Sequence, residues 1–319
     1  PMDTFEVISK VLPVFLLFVT GYVFRRTGFL EARTAAQLKK LVADVTLPAL
    51  LFRAFLSMKP GGDELLLALM MFLLCGVLLV GTRLIMRLAG HKDDIRSYMV
   101  SGFEAGMLGY ALFLSVFGDK ALPIFASVDL GQVLFVFIVL MPLLLARSGG
   151  RFGETASTDM DEGALKAAAR NVITSPVVWA IIGGLVIGAI GRALSIPARP
   201  FAPVSGFLEI VGNLTVPVIA LAIGYELEFR RDILGKALVF VLVRKAVLLG
   251  LALLLIRFLP VKDELTPYAF MTMLLLPPPF VVTLAARNDE QSLVSGILSL
   301  STVISIPAFA AAVLLMGVV

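Results

Sequence analysis

Leu274-Leu275-Leu276-Pro277-Pro278-Pro279-Phe280-Val281-Val282 lies at the centre of an apolar stretch that runs from about 265 to 286. Three successive prolines remove three backbone donors and crowd the preceding turn, so a regular α-helix cannot continue through them. The stretch carries no charged side chain, and its length suits a membrane crossing, which takes roughly 20 mostly apolar residues. Lipid offers no partner for the backbone groups that an interruption frees. The segment must therefore unwind where protein or water can satisfy it, and that requires a helical bundle around it.

Nine further apolar stretches supply such a bundle, at about 8–26, 36–57, 64–88, 96–117, 121–146, 174–193, 203–227, 233–258 and 291–317. Hydrophobic residues make up 59% of the 319 positions, charged residues 16%, and the mean hydropathy is +0.98. A water-soluble chain carries about 45–50% apolar and about 25% charged residues, so the bilayer has to solvate much of this one. The longest polar interval, Arg147 to Arg170, parts the ten stretches into five and five. The predicted organisation is a first five-helix repeat over 1–146, a linker over 147–173 and a second five-helix repeat over 174–319. The fold class is all-α and polytopic.

Seventeen Lys and Arg flank the loops that follow odd-numbered stretches, against seven on the other side. Basic loops stay in the cytoplasm. Both termini are thus expected outside, in a multi-pass protein of the inner (plasma) membrane with the lipid bilayer as its partner. This asymmetry also accounts for a pI near 9.3 with no nucleic-acid partner. The first apolar stretch has no cleavage-site pattern and is expected to remain in the mature chain.

An odd number of helices per half inverts the second half relative to the first, and short echoes support an inverted repeat. Asp44-Val45-Thr46-Leu47-Pro48 in the second stretch matches Asn213-Leu214-Thr215-Val216-Pro217 in the seventh. Pro13 and Gly21 in the first share their spacing with Pro176 and Gly184 in the sixth. Under the repeat, the triple-proline stretch pairs with the fourth, Ser101-Gly102-Phe103-Glu104-Ala105-Gly106-Met107-Leu108-Gly109-Tyr110. Its three glycines make a poor helix interior. Either the fourth helix is also broken, or the glycines serve close packing. Two broken helices, 4 and 9, crossing at mid-membrane would point half-helix N-termini into one cavity.

Charge inside a membrane helix is costly and marks function by default. Asp44, Glu104 and Asp129 lie well inside their stretches, and Gln132 follows Asp129 on the same helix face. The three carboxyl groups are candidate proton carriers or sodium ligands; polar pairing that only fixes helix packing is the alternative. Arg244 and Lys245 either snorkel towards the basic surface or form a buried ion pair. Gly183-Gly184-Leu185-Val186-Ile187-Gly188 reads as a packing or dimerisation stripe. Cys75 and His91 stand alone, so neither a disulfide, a metal site nor a cofactor is expected.

Several motifs resemble the auxin efflux carrier family, the bacterial relatives of plant auxin exporters. They are Val11-Leu12-Pro13-Val14-Phe15 with Gly21-Tyr22 and Arg25-Arg26-Thr27-Gly28-Phe29-Leu30, then Leu47-Pro48-Ala49-Leu50-Leu51-Phe52, then Val211-Gly212-Asn213-Leu214-Thr215-Val216-Pro217. The resemblance implies ten helices with crossed, broken helices 4 and 9, an architecture shared with sodium/proton antiporters and bile-acid symporters. It implies a scaffold of helices 1, 2, 6 and 7, a moving part of helices 3–5 and 8–10, and an elevator-like transport of small organic anions such as indole acetate or dicarboxylates. A homodimer through the scaffold is implied too. Glu104 and Ala111 stand where the family's fourth helix usually has asparagine and proline. The missing proline argues for a softer break, and the added carboxylate for a proton or cation that accompanies the substrate.

The candidate substrate contacts are then Glu104, Gly106 and Gln132 in the first half and Asn213, Pro277 and Pro278 in the second. The candidate ion-coupling residues are Asp44, Glu104 and Asp129, with H+ or Na+ as the coupling ion. A sodium/proton exchanger of similar fold is the alternative, and a sensor or channel a more distant one. An intramembrane enzyme would need a nucleophile–base or two-aspartate constellation that the sequence lacks, and no phosphate-binding glycine loop for a nucleotide-driven pump is present.

Overall fold

Prolines and glycines decide where these helices run straight and where they do not. The computed structural model describes residues 4–59, 61–91, 93–148, 174–197, 199–228, 231–259 and 263–317, and all regular secondary structure among them is helical. The linker expected over 147–173 lies, apart from Arg147 and Ser148, outside the described residues. α1 (Thr4–Thr27) precedes α2 (Ala32–Leu41), which passes through a π turn at Val42–Thr46 into α3 (Leu47–Ser57). α4 (Gly62–Leu88) follows, then the four-residue α5 (Arg96–Met99), a non-helical passage, a π turn at Ala105–Gly109 and α6 (Tyr110–Phe117). α7 (Leu122–Phe135) continues through a π turn at Val136–Leu140 into α8 (Met141–Arg147). Beyond the linker come α9 (Pro176–Ala193), α10 (Ala202–Asn213), α11 (Thr215–Glu226) and α12 (Arg231–Ile256). α13 (Thr266–Leu275), a 3-10 helix at Phe280–Ala285 and α14 (Gln291–Met316) complete the chain.

Seven helical runs among the described residues are long and apolar enough to cross a membrane: Thr4–Thr27, Gly62–Leu88, Asp119–Arg147, Pro176–Ala193, Arg199–Glu226, Asp232–Ile256 and Gln291–Met316. The other three stretches picked out by hydropathy are helical as well, with an evident reason for standing apart. The second carries Lys39, Lys40, Asp44 and Arg53, and the fourth and ninth are interrupted. Prolines account for most of the faults. Pro48 and Pro142 each lie one or two residues beyond a π turn, and Pro217 lies just past the junction of α10 and α11 at Leu214. A proline cannot donate to the carbonyl one turn back, and a wider turn ahead of it absorbs the lost bond.

Glycines let two pairs of helices touch backbone to backbone. α1 crosses α11 so closely that a Cβ on Gly21 would lie 2.1 Å from the Leu221 carbonyl oxygen, and one on Gly224 would lie 2.2 Å from that of Phe18. α9 meets α3 in the same way, through Gly184 against the Phe52 carbonyl and Gly188 against that of Leu56. The glycine stripe of α9 is therefore occupied by contacts inside the chain. Dispersion contacts at such short separation replace the hydrophobic drive that lipid removes.

At the basic end of the bundle one buried cation ties three connections together. Arg147, its side chain 1% exposed, donates to Glu290 at 2.6 Å and 2.9 Å and to the Ala285 carbonyl at 2.6 Å, and it reaches Asp93 at 3.3 Å. Arg287, half exposed, also donates to Asp93 at 2.6 Å. Removing one member of a buried pair strands the other, at about 3 kcal/mol or more, whereas an exposed pair contributes less than about 1 kcal/mol. Arg147→Ala should accordingly lower the thermal unfolding midpoint in detergent markedly, and Arg287→Ala only slightly. Equal effects would contradict the burial argument.

Candidate functional site

The two interruptions meet. α13 stops at Leu275, and Leu276 to Pro279 run extended before the 3-10 turn at Phe280. Three residues without N–H groups leave that passage able to accept hydrogen bonds but hardly to donate them, and all three prolines are buried. In the fourth stretch, helix stops at Met99 and resumes with the π turn at Ala105. This break is sharp although Ala111 replaces the family's proline. Gly102 turns the chain with φ +86°, a conformation that other residues adopt at a cost of about 1–2 kcal/mol. A Cβ on Gly102 would also press on Pro279 at 3.3 Å.

Backbone and side chain both stitch the breaks together. The Glu104 N–H donates to the Pro277 carbonyl at 3.0 Å. In return, the Phe280 N–H donates to Glu104 Oε2 at 2.8 Å. Gln132 on α7 donates its amide N–H to the Phe103 carbonyl at 2.7 Å and, more weakly, to Asp129 Oδ1 at 3.4 Å. Tyr110 Oη donates to Asp129 Oδ2 at 3.0 Å. Asp129 and Gln132 are 1% and 4% exposed, and Gln132 Oε1 has no protein partner. Glu104, Gln132, Asp129, Pro277 and Pro278 thus belong to one junction. Gly106 adjoins it in the π turn, with its α-carbon facing the Leu47 side chain.

Arg244 and Lys245 do neither of the things expected of them. They do not snorkel, being 3% and 7% exposed, and no hydrogen bond from either head group ends on a carboxylate. Arg244 instead donates to the carbonyls of Met99 at 3.0 Å, Leu276 at 2.7 Å and Gly102 at 3.4 Å, spanning both interruptions. Its guanidinium also lies 5.4 Å from the Phe103 ring centroid. Lys245 donates to the Leu275 carbonyl and to Ser305 Oγ.

Asp44 and Asn213 lie apart from this junction. Each is exposed on the outside of the bundle, while Thr46 and Thr215, two residues on, are buried with hydroxyls that find no protein acceptor or donor. The motif that repeats in sequence therefore repeats in environment.

A cavity of about 400 Å³ opens beside the junction, between α1, α2 and α11 on one side and Phe280, Thr283 and α14 on the other. Lys39 and Glu226 line it and pair at 2.8 Å, as do Arg25 and Glu228 at 3.0 Å. The Lys39 ammonium lies 5.5 Å from the ring centroid of Phe280, the residue whose amide Glu104 holds. Thr302 lines the cavity too, buried and with an unpartnered hydroxyl. Lys39 was legible only as a basic loop residue. Its spacing of four from Ala35 and three before Val42, both buried, puts it on the inward face of its helix.

Two ionisable acids and two buried bases share the junction, so its formal charges balance. Such a site can hold a small polar ligand away from lipid and exchange a proton with it. Comparison with known proteins points to membrane transport. A family described as "Membrane transport protein" matches residues 6–313. An "Uncharacterized transporter" of Methanothermobacter thermautotrophicus is 28% identical over 233 residues, which cover 70% of this chain and 68% of that protein. The chain belongs to this membrane transport protein family, the auxin efflux carriers that its motifs resemble.

Proposed function

We propose that the protein is a secondary carrier of a small organic anion, which passes through the junction of the two interrupted segments in exchange for, or together with, a proton. The observation that carries this reading is the Phe280 N–H bonded to Glu104 Oε2 at 2.8 Å. A backbone amide beside an interrupted helix suits a substrate carboxylate, and here the protein's own carboxylate occupies it. With Arg244 and Lys245 balancing Glu104 and Asp129, a monocarboxylate substrate adds one uncompensated negative charge. A proton on Glu104 restores the balance and frees the Phe280 amide for the substrate. Lys39, which lines the cavity beside Phe280, draws the anion in. Gln132, Gly106, Pro277 and Pro278 line its seat in this reading.

The architecture that serves this function is an inverted repeat of two five-helix halves. Reciprocal packing supports it, since the first stretch crosses the seventh (α1 on α11) as the sixth crosses the second (α9 on α3), through matching glycines. So does the shared environment of Asp44-x-Thr46 and Asn213-x-Thr215. Helices 1, 2, 6 and 7 then form a scaffold, and the remainder moves as an elevator with the junction on board. The basic loops, and the cavity beside them, face the cytoplasm, with both termini outside. An exposed carboxylate midway along a crossing is not tolerated by lipid, so the face bearing Asp44 and Asn213 is covered by a second copy of the chain in a homodimer.

Two measurements follow. Uptake of radiolabelled malonate, malate or indole acetate into proteoliposomes should rise as pH falls, by up to about tenfold per unit, the limit for one titrating group. Glu104→Gln should transport with that pH dependence removed. A variant that keeps the wild-type pH profile contradicts the proton role of Glu104. Asn213→Cys should cross-link between protomers on oxidation in membranes, with buried Cys75 silent. A chain that stays monomeric under those conditions contradicts the dimer face.

A further inference from the structure

Interrupting two helices inside an apolar bundle leaves carbonyl oxygens that lipid cannot satisfy. In carriers built on broken helices, such oxygens are what hold a coupling sodium ion. In this chain they are already occupied. Met99, Gly102 and Leu276 present their carbonyls to the Arg244 guanidinium, and Leu275 presents its own to the Lys245 ammonium, which Ser305 Oγ also meets at 2.5 Å. Ser305 in turn donates to the Leu275 carbonyl at 2.8 Å or the Ser301 carbonyl at 2.6 Å.

Two adjacent buried cations without carboxylate partners oppose folding, because each loses its hydration. Apolar residues would pack α12 at less cost, so purely structural selection does not account for the pair. Its geometry does: consecutive residues diverge around α12, one head group bridging both interruptions and the other bridging α13 and α14. Resting on the carrier reading above, we propose that Arg244 and Lys245 are resident cations, which fill by covalent tether the carbonyl-lined position that a coupling metal ion would take. Transport through this junction then uses no sodium. The remaining ionisable partners, Glu104 and Asp129, are left to the substrate and to protons.

The test starts with the purified wild-type protein and needs no substrate. Its thermal unfolding midpoint in detergent should be the same in sodium chloride and in choline chloride at equal ionic strength. A sodium-specific rise overturns the proposal. Lys245→Ala removes the tethered ammonium and leaves the Leu275 carbonyl and Ser305 hydroxyl open. The folded variant should become sodium-stabilised, and one that is indifferent to sodium overturns the proposal. If that variant does not fold, the wild-type measurement decides alone. Uptake of malonate, malate or indole acetate should proceed equally with sodium or choline on both sides of the liposome, and sodium dependence would again refute the inference. Absence of flux for every organic anion under either salt counts against the anion-carrier reading instead, with the unfolding experiment still judging the cation pair.

Discussion

A carbonyl oxygen without a donor inside an apolar bundle costs several kcal/mol, and the two interrupted segments expose such oxygens side by side. Arg244 answers this constraint at three of them at once. Everything else about the junction depends on that arrangement. With the carbonyls met, the extended passages are tolerated inside the apolar bundle. The Glu104 N–H can then reach Pro277, and the Phe280 N–H can reach Glu104. The bundle's apolar surroundings strengthen these bonds, because competing water is scarce.

The surrounding fold holds the junction by two different kinds of packing. Glycine-mediated contacts bind α1 to α11 and α9 to α3 with backbones nearly touching. The fourth and ninth stretches are instead held by polar bonds to α7 and α12. Between these two kinds of packing lies the cavity, lined by two ion pairs together with apolar side chains. Exposed polar pairs can exchange partners at little cost, which the proposed sliding of a carrier unit past a scaffold would require.

Local chemistry made much of this legible in the sequence. The triple proline announces its break because proline acts on its own turn. The ten stretches are visible because hydropathy needs no tertiary information, and Asp129 and Gln132 meet because three residues along a helix share a face. What stayed hidden depends on direction around a helix axis or on distant partners. The break at Gly102 is sharper than the absence of a proline suggested, since its turn is enforced by Pro279 and Arg244 from elsewhere in the chain. The sequence places Arg244 and Lys245 on α12 but not the direction they point. Asp44 and Asn213 turned out to face outward. Lys39 passed as one more basic loop residue because the cavity it lines is built by α11 and α14, far away in sequence.

The central claim is that the junction of the two breaks seats an organic anion whose charge is balanced there. Thermal unfolding of the detergent-purified protein with indole acetate, malonate, malate and bile acids, each at two pH values, tests it most directly. A ligand of the folded state at a hundred times its Kd contributes about 2.7 kcal/mol. The account predicts a rise in the midpoint specific to one class of organic anion and larger at the lower pH. Stabilisation by sodium or by pH alone, with every organic anion silent, would contradict it and point to an ion exchanger instead.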